Sequence, residues 1–189
     1  MKKISSIVIL LALAVAAFAQ EAPHKYEIKS GIVKTATQVM GQTTEVIVYF
    51  DEYGALETTR TKMTIPGMGE MDIATITKDG KSYMVNNAQK QVQEMPIQES
   101  VNYLALTDEM KEKFKIVDLG KEKVGEWDCT KYGEEISQMG QTAKLTVWVW
   151  KGFPVKTVTN LAGMEVVSEV TEFEEDAFIL PQTFEVPQF

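Results

Sequence analysis

Strand-length segments rich in valine, isoleucine, threonine and aromatic residues recur along this chain at spacings near ten residues, each cut off by a turn built on glycine, proline or aspartate. A chain punctuated this closely has to pair its strands with sequence neighbours. Residues 43–50 (TTEVIVYF) are β-branched or aromatic on both parities, the pattern of a strand covered on both faces, and Asp51, Glu52, Tyr53 and Gly54 end them with a hairpin signal. Residues 55–63 continue as a more polar strand, and Ile65, Pro66, Gly67, Met68 and Gly69 interrupt it. Residues 71–78 and 81–86 flank Asp79-Gly80, the tightest turn in the chain. Residues 26–39 read as the first strand, with Tyr26, Ile28 and Ile32 on one parity. Strands return near Ile116 and continue at 126–132, 143–151, 155–161 and 164–174, separated by turns at Gly133 or Gly140, at Gly152-Phe153-Pro154 and at Gly163.

Between Asn87 and Lys115 the alternation stops, and residues of good helix propensity take over. Thr107 has the character of an N-cap, with Asp108 and Glu109 in the first turn and Lys111, Lys113 and Lys115 towards the end. This predicts a short amphipathic helix over 107–115, and a second is expected within 98–106. Beyond Asp176, Phe178 to Pro181 and Phe184 to Pro187 form a proline-punctuated apolar tail expected to drape over the sheet or to pair at its edge. The expected architecture is α+β: a curved antiparallel sheet with short helices inserted in its middle.

The first 19 residues are a separate matter. Lys2 and Lys3, an apolar run from Ile4 to Ala17, and the small residues Ala17 and Ala19 around Phe18 read as a secretory signal peptide cleaved between Ala19 and Gln20, leaving 20–189 as one exported domain. Gln20 stands where a lipid-modified cysteine would be needed, so no lipid tether is expected. Without Lys2 and Lys3 the chain has 17 basic and 27 acidic side chains, a net charge of −10, which argues against nucleic acid and anionic membrane surfaces as partners. Cys129 is the single cysteine and His24 the single histidine, so there is no internal disulfide. Cys129 is expected to be buried and inert, and His24 to lie in a frayed terminus.

Catalytic chemistry finds no foothold in this sequence. Glu134, Glu135, Glu172, Glu174 and Glu175 fall near expected strand ends and turns, where solvated charge is the ordinary explanation. Met63, Met68 and Met71 could in principle hold Cu(I), but ordinary core packing explains methionine here, and neither a metal nor a cofactor is expected. Ala143, Leu145, Val147 and Val149 make one apolar strand face, while Lys144, Thr146, Trp148 and Trp150 make the other. The first face is expected to meet the concave side of the sheet, as a filled core with the tryptophans under a helix or loop, or as an apolar ligand site.

The order of hairpins, central helices and a long meander resembles the lipoprotein-carrier fold of LolA and LolB, an open half-barrel with a helical lid. Residues 49–54 (YFDEYG) and 147–156 (VWVWKGFPVK) are also similar to an uncharacterised group of exported bacterial envelope proteins. The resemblance implies a non-catalytic periplasmic or envelope protein whose concave face, lined by Val46, Val48, Phe50, Ile73, Leu145, Val147, Val149 and Val166, receives a lipid or the acyl part of a protein. It also implies that Arg60, by analogy with a carrier arginine, helps hold the lid closed. The alternative is an interaction module for another envelope protein, with a filled core and no ligand.

Overall fold

A computed structural model describes residues 24–189, except 40, 66–68, 97–99, 139–140 and 162. The expected signal peptide and its cleavage point lie outside the described residues, as does Met68. Turn chemistry organises the sheet. Asp79 and Gly80 have φ of 50° and 68°, and Lys151 and Gly152 have φ of 49° and 82°, the paired positive values of two-residue turns whose twist matches that of the strands they join.

Eleven antiparallel strands result: β1 (Gly31–Val39), β2 (Gln42–Asp51), β3 (Leu56–Ile65), β4 (Gly69–Lys78), β5 (Lys81–Asn86), β6 (Gln91–Met95), β7 (Val117–Val124), β8 (Trp127–Gln138), β9 (Gln141–Trp150), β10 (Phe153–Leu161) and β11 (Met164–Glu175). Their order is β6-β5-β4-β3-β2-β1-β11-β10-β9-β8-β7, so the first and last strands pair in mid-sheet and the sheet stays open at β6 and β7. The segment from 96 to 116, which joins those two edges in sequence, carries one short helix among its described residues, α1 (Asp108–Lys113), capped by the Thr107 side chain accepting from the Met110 amide. No helix among the described residues is long and apolar enough to cross a membrane.

The sheet curves strongly. Val48 of β2 and Ile136 of β8 line one small cavity, although five strand spacings separate their strands, about 24 Å in a flat sheet. The face turned towards that cavity is the inner face, the other the outer. The outer face of β1 to β5 is covered by the C-terminal tail. Ala177, Ile179 and Phe184 pack against Ile32, Tyr49 and Leu56, and Val186 packs against Ala74, Ile76 and Val85. The Thr58 hydroxyl donates to the Thr183 carbonyl at 2.8 Å. Of the two fates expected for the tail, it takes the draped one.

Several local expectations are corrected. Residues 91–95 form a strand, β6, where no strand was expected: Gln91, Gln93 and Glu94 give it no apolar face, as suits an edge. The helix expected within 98–106 is absent from the described part, 100–106. Residues 26–30 are not strand but a strap across the strand ends, where the Lys25 and Tyr26 amides donate to the Tyr53 carbonyl and the Glu27 amide to that of Lys151. Tyr26 and Ile28 consequently join the main core with Val33, whereas Ile32 faces outwards to the tail. His24 is held, its ring stacked on Tyr53 at 3.9 Å. Gly133 lies inside β8, opposite Thr146, and makes no turn.

Candidate functional site

Register decides which side chains share a face. Val48 stands opposite Val33 and Thr59, Val46 opposite Thr61, and Phe50 opposite Gly31; Ile73 stands opposite Thr61 across the next hairpin. In the other half Leu145 is opposite Thr159 and Glu134, Val147 opposite Thr157 and Tyr132, Val149 opposite Thr130, and Val166 opposite Thr159. The registers bring Val46, Val48, Phe50, Ile73, Leu145, Val147, Val149 and Val166 to the inner face. They do not all do the same thing there. Val48, Leu145 and Val147 line a cavity of about 380 Å³. Phe50, fully buried, belongs to an aromatic cluster with Tyr26 and Phe153 at centroid distances of 4.7 and 6.0 Å. Val149 is buried, and Val46, Ile73 and Val166 are partly covered on the same face.

Arg60 is placed otherwise. It pairs with Ile47 and Ala74 on the outer face and is exposed, so it cannot touch anything that covers the cavity. The cover uses different residues. Val101, Tyr103 and Phe114 of the 96–116 segment roof the cavity, and their anchor is on β8. The Tyr103 hydroxyl donates to Glu134 Oε1 at 2.5 Å, its ring stacks on Tyr132 at 5.4 Å, and the Glu135 amide donates to the Phe114 carbonyl at 2.8 Å. Lys115 adds an ion pair with Glu135.

Glu134 is 5 % exposed, and no other side chain in the hydrogen-bond network of the described residues reaches it. Burial pushes its carboxyl above the ordinary value, and the Tyr103 hydrogen bond pulls partly against that. The Tyr103 phenol is raised far above its own, first by burial and then by the Glu134 charge, so it remains a donor.

A second cavity of about 480 Å³ adjoins the first, sharing Lys25, Glu57 and Ser100 with it, and continues over β4 to β6 past Thr75, Thr77, Ser82, Met84 and Met95. Between the two, Glu57 Oε2 accepts from Lys25 Nζ at 2.7 Å and from the Tyr26 hydroxyl at 2.9 Å. Sequence reasoning missed Tyr103, Phe114 and Glu134, because what makes each matter is a long-range partner. The β3–β5 hydroxyls were visible as alternating threonines, but alternation alone does not tell a cavity wall from a wetted strand.

On the outer face Trp148 is 8 % exposed and lies beneath lysine rather than under a helix or loop: the ammonium groups of Lys131 and Lys156 sit 4.7 and 5.6 Å from its ring. Cys129 is buried, its thiol pushed up by that burial and donating to the Trp127 carbonyl at 3.5 Å.

The chain belongs to the family described as Domain of unknown function (DUF4412), whose model matches residues 30–152, more than half of its length. No curated protein matches it. Among solved structures it is similar to an uncharacterised conserved protein from Thermus thermophilus, at 14% identity and a TM-score of 0.58, with 86% of this chain and 88% of that one covered. It is also similar to MucB, at 10% identity and a TM-score of 0.54, covering 87% of this chain and spanning only 59% of MucB. A domain from Vibrio parahaemolyticus provisionally assigned to outer membrane lipoprotein sorting is a more distant neighbour, with 12% identity, a TM-score of 0.43, and 85% and 91% of the two chains covered. The fold class is the one the carrier resemblance implied, an open antiparallel sheet with few short helices.

Proposed function

We propose that this DUF4412 member is a non-catalytic, exported binding protein of the cell envelope that takes the apolar chain of a lipid or an acylated protein against its inner face. The observation that carries the reading is the roofed cavity itself. At about 380 Å³ it falls within the range of small-ligand sites, with an aliphatic floor of Val48, Leu145 and Val147 beneath Val101 and Phe114. The leader read at residues 1–19 supports export.

The test is to fill the cavity. Leu145 is only partly buried and faces open volume, so Leu145→Trp is expected to change the free energy of unfolding by less than about 1 kcal/mol, below the usual cost of overpacking. It should also weaken binding of an uncharged fluorescent probe with a twelve-carbon chain at least tenfold. The reading fails if the wild type binds no probe at micromolar concentration, or if the variant binds it equally well.

A second reading, an interaction module for another envelope protein, is favoured by two observations. MucB has been solved in complex with MucA(peri), and Phe178 and Leu180 on the tail of this chain are 85 % and 57 % exposed. Native mass spectrometry of protein purified from its own envelope separates the readings: a co-purifying lipid supports the first, a co-purifying polypeptide the second.

A further inference from the structure

The inner face is chemically divided. Over β8, β9 and β2 its cavity wall is mainly aliphatic, from Val48, Ile136, Leu145 and Val147, with Glu134 and Thr157 as polar groups beside them. Over β4 and β5 the adjoining wall carries the hydroxyls of Thr75, Thr77 and Ser82 beside the Met84 side chain. Ser82 is 9 % exposed, and among the described residues nothing hydrogen-bonds its hydroxyl. A hydroxyl held that way against a cavity wall has capacity left for a guest.

The boundary between the halves is electrically closed. Lys25 is the cation shared by both cavities, and Glu57 neutralises it at 2.7 Å while also taking the Tyr26 hydroxyl. An anionic headgroup would have to displace Glu57, leaving a partly buried carboxylate without its cation. A cationic headgroup would meet the Lys25 ammonium and would have to take Glu57 from it. Resting on the chain-binding reading above, we propose that the occupant is a single-chain amphiphile with an uncharged, hydroxyl-bearing headgroup: its chain lies on the aliphatic wall, and its head in the second cavity against Ser82, Thr75 and Thr77.

The experiment is calorimetric titration of the whole exported chain with four probes that each carry a ten-carbon chain, below their micelle-forming or solubility limits: methyl decanoate, decanoate, decyl phosphate and 1-monodecanoylglycerol. Monodecanoylglycerol is expected to bind at least about tenfold more tightly than the other three, the gain from two or three added neutral hydrogen bonds. Ser82→Ala combined with Thr77→Val should bring its affinity down to that of methyl decanoate and leave methyl decanoate binding unchanged. If the four probes bind equally, the headgroup inference is overturned while chain binding stands. If decanoate or decyl phosphate binds most tightly, it is overturned in favour of an anionic guest that displaces Glu57. If none binds, the chain-binding reading falls and takes this inference with it.

Discussion

Among the described residues Glu134 is the one carboxylate in the wall of the aliphatic cavity away from its shared border, and its burial gives it a pH signature. Its folded-state value is raised by burial, so the stability it contributes is fully present below the ordinary carboxylate range and is lost as pH rises through the raised value. At neutral pH the wild type therefore carries a desolvation cost. Glu134→Gln removes the ionisation yet keeps an amide oxygen to accept from Tyr103. In denaturant melts the variant is expected to gain on the wild type as pH rises above the ordinary carboxylate value of about 4.3, and to lose that advantage below it. Glu122 and Glu135, held low by Lys131 and Lys115 respectively, run the other way. They are present in both proteins and cancel in the difference. A constant difference across pH would show that the cover does not keep water from Glu134. None of this was legible in the sequence, where Glu134 and Glu135 read as one solvated pair: alternation on β8 sends one under the cover and the other out to Lys115 and Lys144.

At the scale of elements, sequence pattern was a good guide wherever a strand has an apolar face and a poor one where it has none. Residues 43–50 declare themselves by β-branched side chains on both parities, and register then puts one parity on the inner face, with Val48 in the cavity, and the other on the outer, where Tyr49 meets the tail. β6 gave no such signal. In 100–106 helix propensity is overridden by a tertiary contact, Tyr103 to Glu134, and by a local turn in which the Asn102 side chain accepts from the Leu104 amide. The β9–β10 turn shows how tightly the coverings are fitted. A Cβ on Gly152 would lie 2.6 Å from the Lys25 carbonyl and 2.9 Å from Leu104 Cγ, at a φ of 82°. Gly152→Ala is therefore expected to cost more than about 1 kcal/mol and to speed proteolysis within 96–116. Gly80→Ala is the control, since its φ of 68° carries the same backbone strain with nothing near the added carbon. Equal effects from the two changes would mean that the strap and the cover do not press on the β9–β10 turn.

For the whole molecule, the tail and the cover serve opposite faces. Without the tail, the outer sides of β1 to β5 would expose Ile32, Tyr49, Ala74, Ile76 and Val85. Ending the chain at Asp176 is expected to cost at least about 3 kcal/mol, the burial of roughly two large apolar side chains, read as a lowered denaturant midpoint. An unchanged midpoint would mean the tail merely rests on the sheet. The sequence made the meander legible because each hairpin is local. It could not reveal the pairing of β1 with β11, where Lys34 meets Glu172 across nearly the whole chain. That pairing sets an order in time. A chain made from its N-terminus can zip β1 to β6 as it emerges and β7 to β10 soon after, yet β1 keeps one row of amides and carbonyls unclaimed until the final strand arrives. The centre of the finished sheet is the last part of it to be completed, and until then it is an edge open to any other strand.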